Sequence, residues 1–76
     1  MKFKLKTETH IELKQKSGAL MVQFYTHNAK SDKHGAVNGN EELIKDLNSK
    51  NDHKIFAAAE TVAKMYGFEL LPIDEQ

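Results

Sequence analysis

Residues 3–13 alternate between two kinds of side chain, and this alternation limits the fold more than any other feature of the sequence. The odd positions carry Phe, Leu, Thr, Thr, Ile and Leu, whereas the even positions carry Lys, Glu or His. A period of two places successive side chains on opposite faces of a β-strand, so the pattern predicts a strand with one buried face. The run is longer than a usual strand, and its inward positions turn polar at Thr7 and Thr9. A bend or bulge there, or two short strands in place of one, accommodates this length.

A second β-type segment follows a short turn. Residues 16–19 read Lys-Ser-Gly-Ala, in which Gly18 can adopt a positive φ, and residues 20–26 are rich in apolar and aromatic side chains. Together the two segments predict an antiparallel β-hairpin. Its core face carries Ile11, Leu13, Leu20, Val22 and Phe24. The outer face of its second strand carries Met21, Gln23, Tyr25 and His27.

Residues 28–40 are predicted to be a loop. Their only hydrophobic residues are alanine and valine, and turn-forming residues are frequent among them. A connection of this length without secondary structure is uncommon in a compact domain. The segment is therefore either a mobile functional loop or contains a short strand around Ala36 and Val37 with a turn at Asn38-Gly39, and the sequence leaves both open.

Two helices are predicted in the second half of the chain. Asn40 precedes two glutamates and predicts the start of a short helix near 41–48, where acids favour the helix dipole. Asp52 is the predicted cap of a second helix, and Gly67 lies where a glycine often ends one. The apolar positions of that second helix are spaced by three and four: Ile55, Phe56, Ala59, Val62, Ala63 and Tyr66.

The predicted fold class is α+β, with one small domain over residues 1–76. An N-terminal antiparallel β-hairpin packs against one or two C-terminal helices, residues 68–73 leave room for a short C-terminal strand, and residues 74–76 form an acidic tail. We expect a core built from Phe3, Leu5, Ile11, Leu13, Leu20, Val22, Phe24, Leu43, Leu47, Ile55, Ala59, Val62, Tyr66, Leu70 and Ile73.

The composition indicates how the domain is held together and in which compartment it works. The chain has no cysteine, which removes disulfides, zinc ribbons and thiol nucleophiles and leaves packing alone to hold the fold. No apolar run approaches the roughly 20 residues of a membrane span, and the first residues alternate charge with hydrophobe. We therefore expect a cytoplasmic protein without a membrane partner.

No residue pattern indicates catalysis, a metal or a cofactor. The four histidines fall in different predicted elements, and no two have the i, i+4 spacing of a helical metal site, although His10 and His27 could meet across the hairpin. The glycines at 35 and 39 lack the Gly-Lys-Ser/Thr ending of a phosphate-binding loop. The acids cluster at helix starts, where the helix dipole accounts for them. We expect neither an enzyme nor a bound cofactor.

Charge is distributed unevenly along a chain whose formal total is zero. Residues 1–39 hold seven lysines against three acids, residues 40–76 hold four lysines against eight acids, and arginine is absent. Lysines on the even-numbered face beside Tyr25 favour weak, salt-sensitive binding of nucleic acid, although lysines also protect edge strands from aggregation. The absence of arginine removes the side chain best suited to bidentate phosphate contacts.

A non-catalytic protein-binding or regulatory module is the first function predicted. So small a core often gains buried area from a partner, and Met21, Tyr25, Met65 and Phe68 are candidates for an exposed apolar patch. The partner is then another protein or a second copy of the chain in a homodimer, and nucleic acid is the alternative. The candidate interaction surface is the outer face of the hairpin: Lys4, Lys6, His10, Lys14, Met21, Gln23, Tyr25 and His27.

Overall fold

The computed structural model describes residues 1–7, 9–27, 29–37 and 41–76. A four-stranded antiparallel sheet with the strand order β1-β2-β3-β4 is followed by two helices and a short 3-10 helix, which confirms the α+β class. The elements are β1 (Lys2–Lys4), β2 (His10–Lys16), β3 (Ala19–Thr26), β4 (Ala29–Val37), α1 (Glu41–Leu47), α2 (Asp52–Met65) and the 3-10 helix Ile73–Glu75. No helix in the described part of the chain is long and apolar enough to cross a membrane.

The central hairpin forms as the sequence predicts. Lys16 pairs with Ala19 across a two-residue turn, in which Ser17 and Gly18 have φ values of 53° and 77°. Two successive positive φ angles give a turn whose twist matches that of the flanking strands, and glycine adopts such an angle without strain. The turn therefore fixes the register of β2 against β3.

The single long strand predicted over residues 3–13 is wrong, and the alternative of two short strands is what forms. The chain reverses between β1 and β2, so that Phe3 pairs with Ile11. The reversal lies where the inward positions turn polar: the Leu5 amide donates to the Thr9 carbonyl at 2.7 Å, and the Thr7 and Thr9 hydroxyls lie 3.1 Å apart. Alternation predicts a strand and its buried face, but it does not predict a change of direction.

The loop predicted over residues 28–40 is wrong for residues 29–37, which form β4 at the edge of the sheet; the alternative of a strand at Ala36 and Val37 is confirmed, but the strand is longer than predicted. Three residues of β4, 31–33, lie opposite the single residue Phe24 of β3, which makes a bulge. Backbone pairing with β3 holds this strand, so it needs few apolar side chains of its own. The turn predicted at Asn38-Gly39 and the cap predicted at Asn40 lie outside the described residues.

The second helix begins one residue earlier than predicted. Asn51 is its N-cap, and the side-chain oxygen of Asn51 accepts from the His53 amide at 2.9 Å, whereas Asp52 is already helical. The carboxylate of Asp52 still lies in the first turn, where the helix dipole stabilises it. Gly67 ends the helix as predicted, with a φ of 82° and an amide that donates to the Lys64 carbonyl.

The core lies between one face of the sheet and the two helices. Val37, Ala58 and Ala63 are buried although the predicted core omits them, and Val37 was omitted because its segment was predicted to be a loop. The buried side chains are Leu5, Ile11, Leu13, Leu20, Val22, Phe24, Val37, Leu47, Ala58, Ala59, Val62, Ala63 and Leu70. The remaining predicted core residues are half-buried: Phe3, Leu43, Ile55, Tyr66 and Ile73.

The C-terminal segment closes the β1 edge of the sheet. The predicted strand there is reduced to one antiparallel bridge between Leu5 and Leu70. The segment predicted as an acidic tail, 74–76, lies next to β1, and the Gln76 side chain accepts from the Lys4 amide at 2.7 Å and donates to the Lys4 carbonyl at 3.0 Å. The face of the sheet that points away from the two helices is covered by no element of the described chain, and it is called here the uncovered face.

A close contact between Gly35 and Tyr66 provides a test of the packing of β4. A β-carbon at position 35 would lie 2.5 Å from the Tyr66 hydroxyl oxygen and 3.5 Å from the ring carbon that carries it. We expect Gly35→Ala to lower the free energy of unfolding by about 1–2 kcal/mol in urea denaturation, because the ring must move. Most of that cost should disappear in the Tyr66→Phe background, and an equal cost in both backgrounds would contradict this packing.

Candidate functional site

The uncovered face of the sheet is the candidate site, and its side chains form rows across the strands. Residues directly opposite each other in antiparallel strands point to the same face. The first row is Lys4, His10, Tyr25 and Lys30. The second is Lys2, Glu12, Gln23 and His34, the third is Lys14, Met21 and Ala36, and the fourth is Lys16 and Ala19.

This face is strongly basic. All of its lysines are exposed, namely Lys2, Lys4, Lys14, Lys16 and Lys30. Glu12 is the one acid within the rows, and Asp32, in the bulge of β4, lines a shallow recess beside Lys30 and His34. Positive charge therefore exceeds negative charge on this face, and its lysine side chains are accessible to an anion from solvent.

Glu12 organises the middle of the uncovered face. Its carboxylate lies 3.2 Å from the Lys14 ammonium, and hydrogen bonds from Lys14 and then from Tyr25 lower the pKa of Glu12. Partial burial, followed by the hydrogen bond to Glu12, raises the pKa of Tyr25. The Glu12 carboxylate and the Tyr25 hydroxyl therefore lie near each other on this face.

His10 and Tyr25 form a stacked pair, called here the aromatic ridge. Their ring centroids are 4.4 Å apart and their planes differ by 7°. A groove of about 700 Å³, the β1 groove, is lined by His10 with residues of β1 and of the C-terminal segment. A second groove of about 300 Å³, the β4 groove, is lined by Tyr25 with lysines of β2 and β4. The ridge therefore stands between two open grooves.

Gln23 has a structural contact that the sequence did not indicate. Its side-chain amide donates to the backbone carbonyls of Ser31 and Lys33 in β4, the latter at 3.2 Å. Both carbonyls belong to the bulged segment that β3 pairs irregularly. The amide therefore holds the bulge and is already occupied by backbone acceptors.

Six of the eight residues predicted as an interaction surface lie on the uncovered face, and two do not. Lys6 lies beyond β1, where its ammonium is 2.8 Å from the Glu69 carboxylate. His27 lies in the turn after β3 with a φ of 51°. The sequence left open that His10 and His27 meet across the hairpin; they do not, because the register places Tyr25 opposite His10.

Two side chains of the candidate site on β4, Lys30 and His34, are missing from the predicted surface because their segment was assigned to a loop. Only a weak alternation marks that segment, in which residues 30, 32 and 34 are charged or polar while residues 35 and 37 are glycine and valine. Among the described residues no group of three His, Asp or Glu side chains is placed to hold a metal ion.

The fold and the site together define an α+β domain with an uncovered, lysine-rich sheet face that carries one stacked aromatic pair. The chain matches no protein-family model, and no curated protein or solved structure is significantly similar to it.

Proposed function

We propose that the protein is a non-catalytic module that binds nucleic acid on its uncovered face. The observation that carries this proposal is that five exposed lysines share one sheet face with the aromatic ridge: Lys2, Lys4, Lys14, Lys16 and Lys30. Phosphate backbones bind such surfaces by releasing condensed counterions, and lysine supplies the charge without reading sequence. A cysteine-free domain suits a reducing compartment, and we propose that it works in the cytoplasm.

The charges of the sheet and of the helical layer indicate on which side of the protein an anionic ligand binds. The part of the chain that forms the sheet carries the lysine excess, whereas residues 40–76, which include both helices, hold eight acids against four lysines. A phosphate backbone is attracted to the first layer and repelled by the second. The sheet face is therefore the side on which an anionic polymer docks.

Binding of another protein, or of a second copy of the chain, is less well supported by the same geometry. The apolar patch on which it depends is divided, because Met21 and Tyr25 lie on the uncovered face while Phe68 packs against Phe24 on the core side. Among the described residues the exposed large hydrophobic side chains are Met1 and Met65, and neither belongs to the uncovered face.

The test is a salt titration of binding. Protein purified with nuclease is titrated into a fluorescently labelled oligonucleotide, and anisotropy reports the affinity at salt concentrations from about 50 mM to about 200 mM. With up to five lysines on phosphates we expect a log-log slope of up to about −3.5, which lowers the affinity by up to about a hundredfold over that range.

Two results would count against the proposal. One is no binding at the lowest salt, and the other is an affinity that salt does not change. Light scattering on the same samples separates the protein-binding alternative, since a nucleic-acid-free dimer that persists at high salt would favour self-association over the lysine face.

A further inference from the structure

We infer that the ligand of the uncovered face is single-stranded, and that its bases stack on the aromatic ridge formed by His10 and Tyr25. This inference rests on the nucleic-acid binding proposed above and specifies which form of nucleic acid is bound and where its bases lie.

The geometry of the ridge leaves stacking surface for a ligand. His10 and Tyr25 lie opposite each other on β2 and β3, and their nearly parallel rings each use one flat face for the other. Neither residue is fully buried, and His10 lines the β1 groove while Tyr25 lines the β4 groove. Stacking on such faces accepts any base, since every base has a flat π-surface.

Lysines lie where the phosphates of a stacked strand would pass. Lys4 and Lys30 continue the row of the ridge on either side, each one strand away, so the row spans about 14 Å across the sheet. Lys4 lines the β1 groove with His10, and Lys30 lines the β4 groove with Tyr25. Each groove thus combines an aromatic ring with an ammonium group, the pair of contacts that one nucleotide requires.

A duplex cannot use these contacts. Its bases are stacked on one another, and a protein reaches only their edges, which arginine, asparagine and glutamine read best. The chain has no arginine, and the amide of Gln23 is engaged by the carbonyls of Ser31 and Lys33. The face therefore offers a duplex only phosphate contacts, whereas a single strand also gains stacking.

The ridge is held in place before the ligand arrives. The rings of His10 and Tyr25 are both half-buried, and they lie against each other with nearly parallel planes. A ring that is already ordered loses little conformational entropy on binding. This order favours stacking of a base without rearrangement of the sheet.

The experiment compares oligothymidylate of about 12 nucleotides with a duplex of the same length, by anisotropy at low salt. We expect the single strand to bind about tenfold more tightly, and His10→Thr and Tyr25→Thr each to lower its affinity about tenfold with an unchanged salt slope. His53→Thr is the matched control, because it removes an exposed histidine from α2, and its affinity should stay within about twofold. Circular dichroism melting verifies that each variant is folded.

Proton NMR of the unmodified protein gives a second measurement that does not depend on variants. We expect the ring protons of His10 and Tyr25 to shift upfield on addition of the single strand and not on addition of the duplex. Salt-sensitive binding that treats both forms alike, with unshifted rings, would overturn the stacking inference and leave the proposed function standing. Absence of salt-sensitive binding to either form would overturn both.

An acidic polypeptide is another anionic ligand that a lysine-rich face could bind. Poly-glutamate of matched charge should bind more weakly than oligothymidylate and leave the ring resonances in place, because it has no base to stack. Equal affinity for poly-glutamate would overturn the inference in favour of an acidic segment of a partner protein.

Discussion

Val62→Asp is expected to unfold the protein. Val62 lies on the sheet-facing side of α2 and is 0% exposed. Among the described residues the core contains no buried polar or charged group that could pair with a carboxylate. The variant therefore either buries an unpaired charge or loses the packing of α2 on the sheet, at a cost of about 4 kcal/mol or more.

That cost is comparable to the whole stability of a chain of this size. For 76 residues a free energy of unfolding of about 4–11 kcal/mol is typical. Thr61→Asp is the matched control, since Thr61 is the exposed neighbour of Val62, and we expect it to change stability by about 0.5 kcal/mol. Thermal melting followed by circular dichroism measures both variants, and a cooperative transition of Val62→Asp near that of the parent would contradict the core assignment.

Phe24→Asp should also destabilise the fold, but it is a less sharp test. The ring of Phe24 packs against Tyr66 and Phe68, and the Lys33 ammonium lies 5.4 Å from its centroid. A carboxylate at this position would find a cation close by, which offsets part of the cost of its burial.

The half of the fold that is held by side-chain burial could be predicted from the sequence. The central hairpin and α2 each carry an apolar period that matches their geometry, so their type and buried face follow from it. β4 carries almost no such period, because it lies at a sheet edge and is held by backbone pairing to β3 and by the Gln23 amide. Contacts of that kind leave no mark on the sequence of the strand that receives them.

The candidate site could be predicted in part for the same reason. The side chains on β2 and β3 follow from alternation, whereas Lys30 and His34 depend on β4. The residue opposite His10 can be deduced from the turn. Because Lys16 lies opposite Ala19, counting away from the turn along both strands places Tyr25 opposite His10. The stacked pair is thus a consequence of the register that the two-residue turn sets.

Neutralising the lysines of the uncovered face is expected to abolish binding of nucleic acid. The variant carries four substitutions to glutamine, at Lys4, Lys14, Lys16 and Lys30, all of them exposed. Each lost phosphate contact reduces the salt slope by about 0.7, and together the four losses should lower the affinity at low salt at least about a hundredfold. Exposed lysines contribute little to stability, so the variant should fold.

A second variant, with the same change in net charge, tests whether the position of the lost lysines matters for binding. It replaces four exposed lysines of the helical part of the chain by glutamine: Lys45, Lys50, Lys54 and Lys64. The change in net charge is the same in both variants, and each set contains one ion-paired lysine, with Lys14 at 3.2 Å from Glu12 and Lys64 at 3.9 Å from Glu60. Any difference in affinity between the two then reports where nucleic acid binds.

The most direct test of the uncovered face as the binding surface is an anisotropy titration of these two variants, side by side with the parent protein, on one single-stranded oligonucleotide at low salt. We predict a loss of about a hundredfold or more for the variant of the sheet face and a change within about threefold for the variant of the helical part. Equal losses in the two variants would show that net charge alone drives binding, and binding retained by the sheet-face variant would contradict the proposed function.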